Sequence, residues 1–232
     1  MLALEGIVVE QGNFRLTADF VVEAGARVAV LGPSGAGKST LLSVVAGFLA
    51  PDAGRVLCDG QDLTGLEPGE RPVSIVFQDN NLFPHLTVAQ NVGLGVKPSL
   101  RLSQEEAAKV EASLKRVGLE GFGGRRPAEL SGGQASRVAL ARVLLRARPV
   151  MLLDEPFAAL GPALRTEMLE LVREVAAETG ATVLMVTHDP GDAARLGGQT
   201  VLVADGMARA PVETQALLAD PPPELQEYLG AG

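Results

Sequence analysis

The residues Gly32 to Thr40 read GPSGAGKST and follow directly on the apolar run Arg27-Val28-Ala29-Val30-Leu31. Glycine, four residues, glycine, lysine and then serine or threonine is the spacing of a phosphate-binding loop, which runs from a buried strand into a helix. The spacing has a physical cause. Gly32, Gly35 and Gly37 let the backbone turn tightly, so that N–H groups of the loop, Pro33 excepted, point inward around phosphate oxygens, with Ser34 and Ala36 between the glycines. Lys38 adds a point charge for the terminal phosphates and Ser39 a hydroxyl for a magnesium ion. Thr40 follows in the first turn of a helix whose positive end faces the same anion. A nucleoside triphosphate with Mg2+ is the expected ligand. The plainer alternative is a glycine-rich turn that happens to precede a helix; the strand before it and Ser39-Thr40-Leu41-Leu42 after it weigh against that.

What else the chain can be is narrowed by its composition. With 232 residues, 47% of them hydrophobic, it can bury a substantial core. Its 20 basic against 28 acidic residues give a net charge of −8, which argues against a broad nucleic-acid footprint and against adsorption to anionic lipid. The single cysteine, Cys58, cannot form an internal disulfide, no signal peptide follows Met1, and no uninterrupted apolar stretch approaches the ~18 residues of a membrane span. These features predict a cytosolic chain whose membrane role, if any, goes through a partner.

Taken in order, Ile7 to Val9, Phe14 to Leu16 and Asp19 to Val22 read as short antiparallel strands leading into the Arg27 to Leu31 strand. After the phosphate loop, the apolar positions from Leu41 to Leu49 predict a helix closed by Pro51 and Gly54, with a strand at Arg55 to Cys58 beyond it. Pro72 to Phe77 is a buried strand that stops at Gln78. A glutamine at a strand end beside the loop can reach a magnesium ion or an attacking water, although such a residue is more often ordinary loop. From Thr87 to about Leu119 the period is helical, and strand signals are absent between Gln78 and Pro149. This predicts a helical subdomain at about 84–148 inserted into a single domain spanning 1–232.

The insert ends on Leu130-Ser131-Gly132-Gly133-Gln134, followed by a helix predicted over Ala135 to Arg148. Ser131 with Gln134 three residues on is a capping box, which suffices to start a helix. Two glycines in a first turn are poor helix formers, however, and their missing side chains admit close approach of an anion to the helix N-terminus. Both readings stand on the residues alone. Pro149 to Leu153 is apolar without alternation, as in a strand buried on both faces, and delivers Asp154 and Glu155 to its carboxyl end. Asp154 suits the magnesium and Glu155 the polarising of a water; acidic residues at strand ends are otherwise commonplace. Thr182 to Thr187 repeats the pattern and delivers His188, whose imidazole can bond a terminal phosphate, though a lone histidine is more often structural. Final strands are expected at Gln199 to Ala204 and Met207 to Ala210, and a helical, then proline-rich tail from Glu213.

Phosphate loop, Gln78, Leu130 to Gln134, Leu152 to Glu155 and His188, in this order and at these boundaries, resemble the nucleotide-binding domain of ATP-binding-cassette (ABC) transporters over nearly the whole chain. The resemblance implies an ABC-type P-loop fold: a mixed α/β sheet flanked by helices, an antiparallel β subdomain and the helical insert. It also implies ATP hydrolysis with Mg2+ held by Ser39, Gln78 and Asp154, and Glu155, His188 and Gln78 in catalytic roles. ATP would lie in a head-to-tail homodimer, held by residues 32–40 of one subunit and Ser131, Gly132, Gly133 and Gln134 of the other. Phe77 to Gly95, with Asp192-Ala193-Ala194-Arg195 and Val203 to Gly206, is similar to the ATPase subunits of bacterial thiamine importers. Such subunits sit peripherally on the cytoplasmic face of the inner membrane, bind integral-membrane permeases, work indirectly with an external solute-binding protein and bind no nucleic acid. Phe83, Pro84, Leu86 and Val88 are expected in the groove that receives a permease helix.

Two positions depart from the family pattern. The aromatic residue that stacks on adenine falls near Gln11, with Phe14 the nearest aromatic, and Gly161 replaces an aspartate after the Glu-Pro segment. The alternative is a soluble ABC ATPase of repair or ribosome function, which usually needs two cassettes or a long coiled-coil insert, more than 232 residues hold.

Overall fold

The computed structural model describes residues 1–230. Strands β1 (Leu2–Gln11) and β2 (Phe14–Val22) form a hairpin whose register closes at Gln11 and Phe14, with Gly12 at φ +60° in the turn between them. The sequence pattern predicts three short strands here; two long ones form. A bulge between Leu4 and Ile7, with Gly6 at φ +57°, shifts the inward face of β1 and hides its continuity from a strict alternation. In β2 the buried residues Leu16, Ala18, Phe20 and Val22 alternate without a break.

The chain continues through β3 (Arg27–Leu31), α1 (Lys38–Ala46), β4 (Ala53–Cys58), β5 (Gln61–Asp62) and β6 (Val73–Val76). Then come α2 (Val88–Gly93), α3 (Gln104–Arg116), a 3-10 turn (Pro127–Glu129) and α4 (Gly132–Arg146), with no strand among them. The remaining elements are β7 (Val150–Asp154), α5 (Pro162–Thr179), β8 (Thr182–Val186), α6 (Pro190–Leu196), β9 (Gln199–Ala204), β10 (Met207–Ala208), β11 (Val212–Glu213), α7 (Thr214–Ala219) and α8 (Pro223–Leu229). Strand order is β5-β4-β1-β2-β10-β9-β3-β8-β7-β6, with β11 on β9. The β9–β10 hairpin joins an antiparallel half to a parallel half built of β9, β3, β8, β7 and β6, the mixed sheet expected.

Uninterrupted apolar runs in the parallel strands have a simple explanation. Val28 and Val30 pack into one core with α1, while Ala29 and Leu31 pack into another with α4 and α5. Each strand is thus buried on both faces, and fully burying one such Val or Leu side chain contributes about 1.5–3 kcal/mol.

Helix boundaries depart from the sequence expectation in three places. The helical run from Thr87 to Leu119 is two helices, because Pro98 breaks the chain between them and Ser103 starts α3 with a capping box to Glu106. α4 starts at Gly132, not Ala135, since Ser131 caps it. α1 stops at Gly47 (φ +86°), ahead of Pro51 and Gly54; the fully buried Arg71 donates to the carbonyls of Val44 and Val45 at 2.8 and 3.0 Å and so satisfies that helix end. Among the described residues no helix is long and apolar enough to cross a membrane.

Candidate active site

β3 lies between β8 and β9 and delivers the phosphate loop at its carboxyl end. Gly32, at φ +149°, passes so close to β9 that a Cβ there would stand 1.9 Å from the Val203 carbonyl oxygen. At Gly37 (φ +103°) a Cβ would meet the Phe14 ring at 2.7 Å, so Phe14 packs against the loop rather than standing free. Lys38 is only 7% exposed, and its Nζ donates to the carbonyls of Gly32 and Pro33, both at 2.8 Å. Burial lowers the pKa of this ammonium, against the pull of Glu155 and Asp154. Ser39 Oγ donates to Asp154 Oδ1 at 3.0 Å. Asp154, 8% exposed, has its carboxyl pushed up by burial and by the Glu155 charge, while the Ser39 bond and Lys38 pull it down. Phosphate oxygens and a cation would relieve both groups at once.

Above the loop is a cleft of about 480 Å³ lined by Gln11 and Phe14, by the loop between Ser34 and Thr40, and by Gln78 and Glu155. The structure therefore gathers Lys38 and Ser39, Gln78, and Glu155, from three segments far apart in sequence, around one space. Glu155 follows the last residue of β7 at φ +45°, a conformation that costs a non-glycine residue of order 1 kcal/mol or more, and its N–H donates to the Val186 carbonyl at 3.1 Å. His188 is half-exposed, with Nδ1 3.4 Å from Glu155 Oε2. Ser39 and Asp154 are hard oxygen donors already within hydrogen-bonding distance of each other, which suits a Mg2+ completed by phosphate and water.

Sequence reasoning missed what holds His188 in place. Thr187 Oγ1 donates to Asp192 Oδ2 at 2.9 Å, Arg165 Nε donates to the same oxygen at 2.9 Å, and the Asp189 N–H donates to Thr187 Oγ1 at 3.1 Å. Asp192 is 2% exposed, and although the Asp192-Ala193-Ala194-Arg195 stretch carries part of the family resemblance, nothing in the sequence ties its carboxylate to Thr187 or Arg165.

Ser131 to Gln134 are not among the residues that line the cleft. Ser131 is exposed and caps α4, its N–H donating to Gln134 Oε1 at 2.9 Å and its Oγ accepting from the Gln134 N–H at 3.3 Å. The capping box is thus formed, and the two glycines after it differ in what the chain itself requires of them. A Cβ at Gly133 would meet Leu160 Cδ2 at 2.8 Å, an intrachain need for glycine; at Gly132 it would make only an ordinary 3.7 Å contact with Ala159, so its smallness is not used within the chain.

On the surface beside Gln78 a groove of about 590 Å³ is lined by residues that include Phe48, Phe77, Phe83, Pro84, Leu94 and Arg142. Phe83 and Pro84 line this groove, but Leu86 does not, and Val88 is fully buried in the core. α2 turns that position inward, since Val88 packs with Val92 one turn on. Arg142 of α4 ties the groove to the Gln78 loop by donating to the carbonyls of Asn80 and Asn81 at 3.2 and 3.0 Å.

The sequence pattern of the family described as "ABC transporter" matches residues 17–158. Over 230 residues the chain is 63% identical to the thiamine import ATP-binding protein ThiQ of Cereibacter sphaeroides, covering 99% of this chain and 100% of that one. It is 56% identical over 231 residues to the ThiQ of a Ruegeria species, with 100% of both chains covered. Among solved structures it is similar to the ATP-binding cassette MJ0796 in a dimeric, post-hydrolysis state bound to ADP and Pi, with a TM-score of 0.82, 30% identity and coverage of 92% of this chain and 99% of that one. Loop, strand-end carboxylates, histidine and relatives thus agree, and the chain belongs to the ABC transporter family.

Proposed function

We propose that this chain is the ATP-hydrolysing subunit of a bacterial thiamine importer. The observation that carries the chemistry is the cleft that joins Lys38, Ser39, Gln78 and Glu155 over one phosphate loop; thiamine rests on full-length relatives that carry that name. Lys38 exchanges two loop carbonyls for the terminal phosphates, and the loop N–H groups take the remaining oxygens. Ser39, Asp154 and Gln78 would hold Mg2+, which when bound neutralises phosphate charge. Glu155 accepts a proton from the attacking water, and His188, adjacent to it, bonds the terminal phosphate.

Ser131 to Gln134 complete the site from a second copy in a head-to-tail homodimer, since they are exposed or half-buried and lie outside their own chain's cleft. Residues 84–148 act as the helical subdomain that carries this second half. The groove at Phe83 takes a cytoplasmic helix of the permease, which places the chain peripherally on the inner face of the membrane; solute choice is left to the permease and the external binding protein.

The test is uptake of labelled thiamine by a bacterial strain whose own importer ATPase gene is deleted and replaced by this chain. Restored uptake that fails with Glu155→Gln supports the reading. ATPase activity with no restored uptake, although the chain co-purifies with the permease, would remove thiamine and leave the ATPase.

A further inference from the structure

The chain has one tyrosine and no tryptophan. Tyr228 lies in α8, well beyond the family match at 17–158. Three fastenings dock this helix. Leu225 is fully buried in a small cluster with Leu202 and Ala204, against which Tyr228 also packs. Arg209 pairs with Glu224. The third fastening is directed at the active site: the Tyr228 hydroxyl donates to the backbone carbonyl of His188 at 2.5 Å.

That carbonyl belongs to the short stretch between β8 and α6. On its other flank the stretch is tied down through Thr187 and Asp189 to Asp192, which Arg165 of α5 clamps. The His188 ring itself is half-exposed, with Nδ1 3.4 Å from Glu155 Oε2. Where the imidazole stands therefore depends on the backbone that carries it, and Tyr228 is the tie that comes from the tail. The phenol is a donor at neutral pH, and burial together with the charges of Glu155 and Asp189 pushes its pKa further up.

We propose that Tyr228 is a positioning residue for ATP hydrolysis, its bond to the His188 carbonyl fixing the imidazole relative to Glu155 and the terminal phosphate, so that the docked tail helix sets the rate of the catalytic step. The inference rests on the functional reading above, in which His188 meets that phosphate. Freeing the carbonyl lets the peptide after His188 rotate, and small misplacement of a reacting group is expensive in rate while leaving the binding loop unaffected.

Tyr228→Phe keeps the ring and its packing and removes only the hydroxyl. Expected is a fall in kcat of roughly three- to tenfold with KM for ATP within about twofold, the pattern of a group that acts in the transition state only. An unchanged kcat, or a rise in KM that accounts for the loss, would overturn the inference. A spectroscopic readout separates positioning from mere support of the fold: tyrosine labelled with 13C at Cζ alone gives a single NMR signal, from Tyr228. The signal should move when a non-hydrolysable ATP analogue with Mg2+ is added and stay in place with ADP. Equal shifts with both nucleotides, or none with either, would overturn it. Absence of ATPase in the wild-type chain would bring down the functional reading and this inference together, whereas wild-type hydrolysis with an indifferent Tyr228→Phe brings down this inference alone.

Discussion

The two parts of the chain that would meet ATP are built in opposite ways. Around the phosphate loop the functional groups are buried and internally engaged: Lys38 on two carbonyls, Ser39 on Asp154, Glu155 in a left-handed backbone conformation. At the start of α4 the corresponding groups are outward-facing, with Ser131 and Gly132 exposed and hydrogen-bonded only within their own helix start. The first region carries strain and desolvated charge that a ligand relieves; the second carries none and has no ligand to bind within its own chain. Under the proposed head-to-tail pairing, a site divided in this manner would be inactive until a second copy arrives, and hydrolysis would report on assembly.

Breaking the loop side is expected to have the largest effect on binding. Lys38→Ala leaves the backbone cradle but removes its buried cation, and loss of charge-assisted bonds should weaken ATP binding by about 100-fold. Equilibrium titration with a fluorescent ATP analogue checks this, and an unchanged affinity would mean that the loop is not the binding half.

On the α4 side the effect should fall on rate and spare monomer binding. Gly132→Asp has room for its Cβ and puts a carboxylate at a helix N-terminus, which favours the isolated fold by about 0.3–1 kcal/mol. The same charge would face the partner's phosphates, so hydrolysis should drop by roughly tenfold or more while single-site ATP affinity is kept. A loss of affinity in the monomer would collapse the distinction between the two regions.

Gly161 sharpens the contrast from the junction of the two. It is the N-cap of α5 without a side-chain hydrogen bond, at φ −67°, a conformation any residue adopts, and a Cβ there meets nothing within 4 Å. Gly161→Asp should therefore fold normally, stabilise the helix start by a few tenths of a kcal/mol, and raise basal ATPase by up to about tenfold with unchanged ATP affinity. A slower enzyme would show that a carboxylate at this position does not assist the site.

The smallest effect concerns stability and pH. The Asp154 carboxyl is raised in the folded state, chiefly by burial, so the unfolded chain gives up this proton at lower pH. Its cost to the nucleotide-free fold is absent below the ordinary Asp range and fully present above the raised folded value. Asp154→Asn should thus melt higher than wild type at neutral pH, with the gap closing in acid, and should lose the extra stabilisation that Mg2+ adds to ATP. Scanning calorimetry across pH reads both.

How legible each region was follows from the range of its interactions. The phosphate loop and the Asp154-Glu155 strand end are local motifs, fixed by residues adjacent in sequence, and they fold as read. The α4 start was legible as a capping box, but only the structure separates Gly133, needed against Leu160, from Gly132, which is not. The ties made by Arg71, Arg142, Arg165 and Tyr228 join segments 20 or more residues apart and leave no periodic trace. Val88 was misplaced because α2 spans only six residues, too few for its inward face to be read from spacing.

The most direct test of the divided site is the mass of Glu155→Gln in solution. The amide can still hydrogen-bond but cannot accept a proton, so hydrolysis should stop with ATP retained. Light scattering on a size-exclusion column at high protein concentration should give the 24.1 kDa of one chain without nucleotide or with ADP, and twice that with ATP and Mg2+. A single-chain mass with ATP bound at saturation, or a dimer that forms equally well with ADP, would contradict the account.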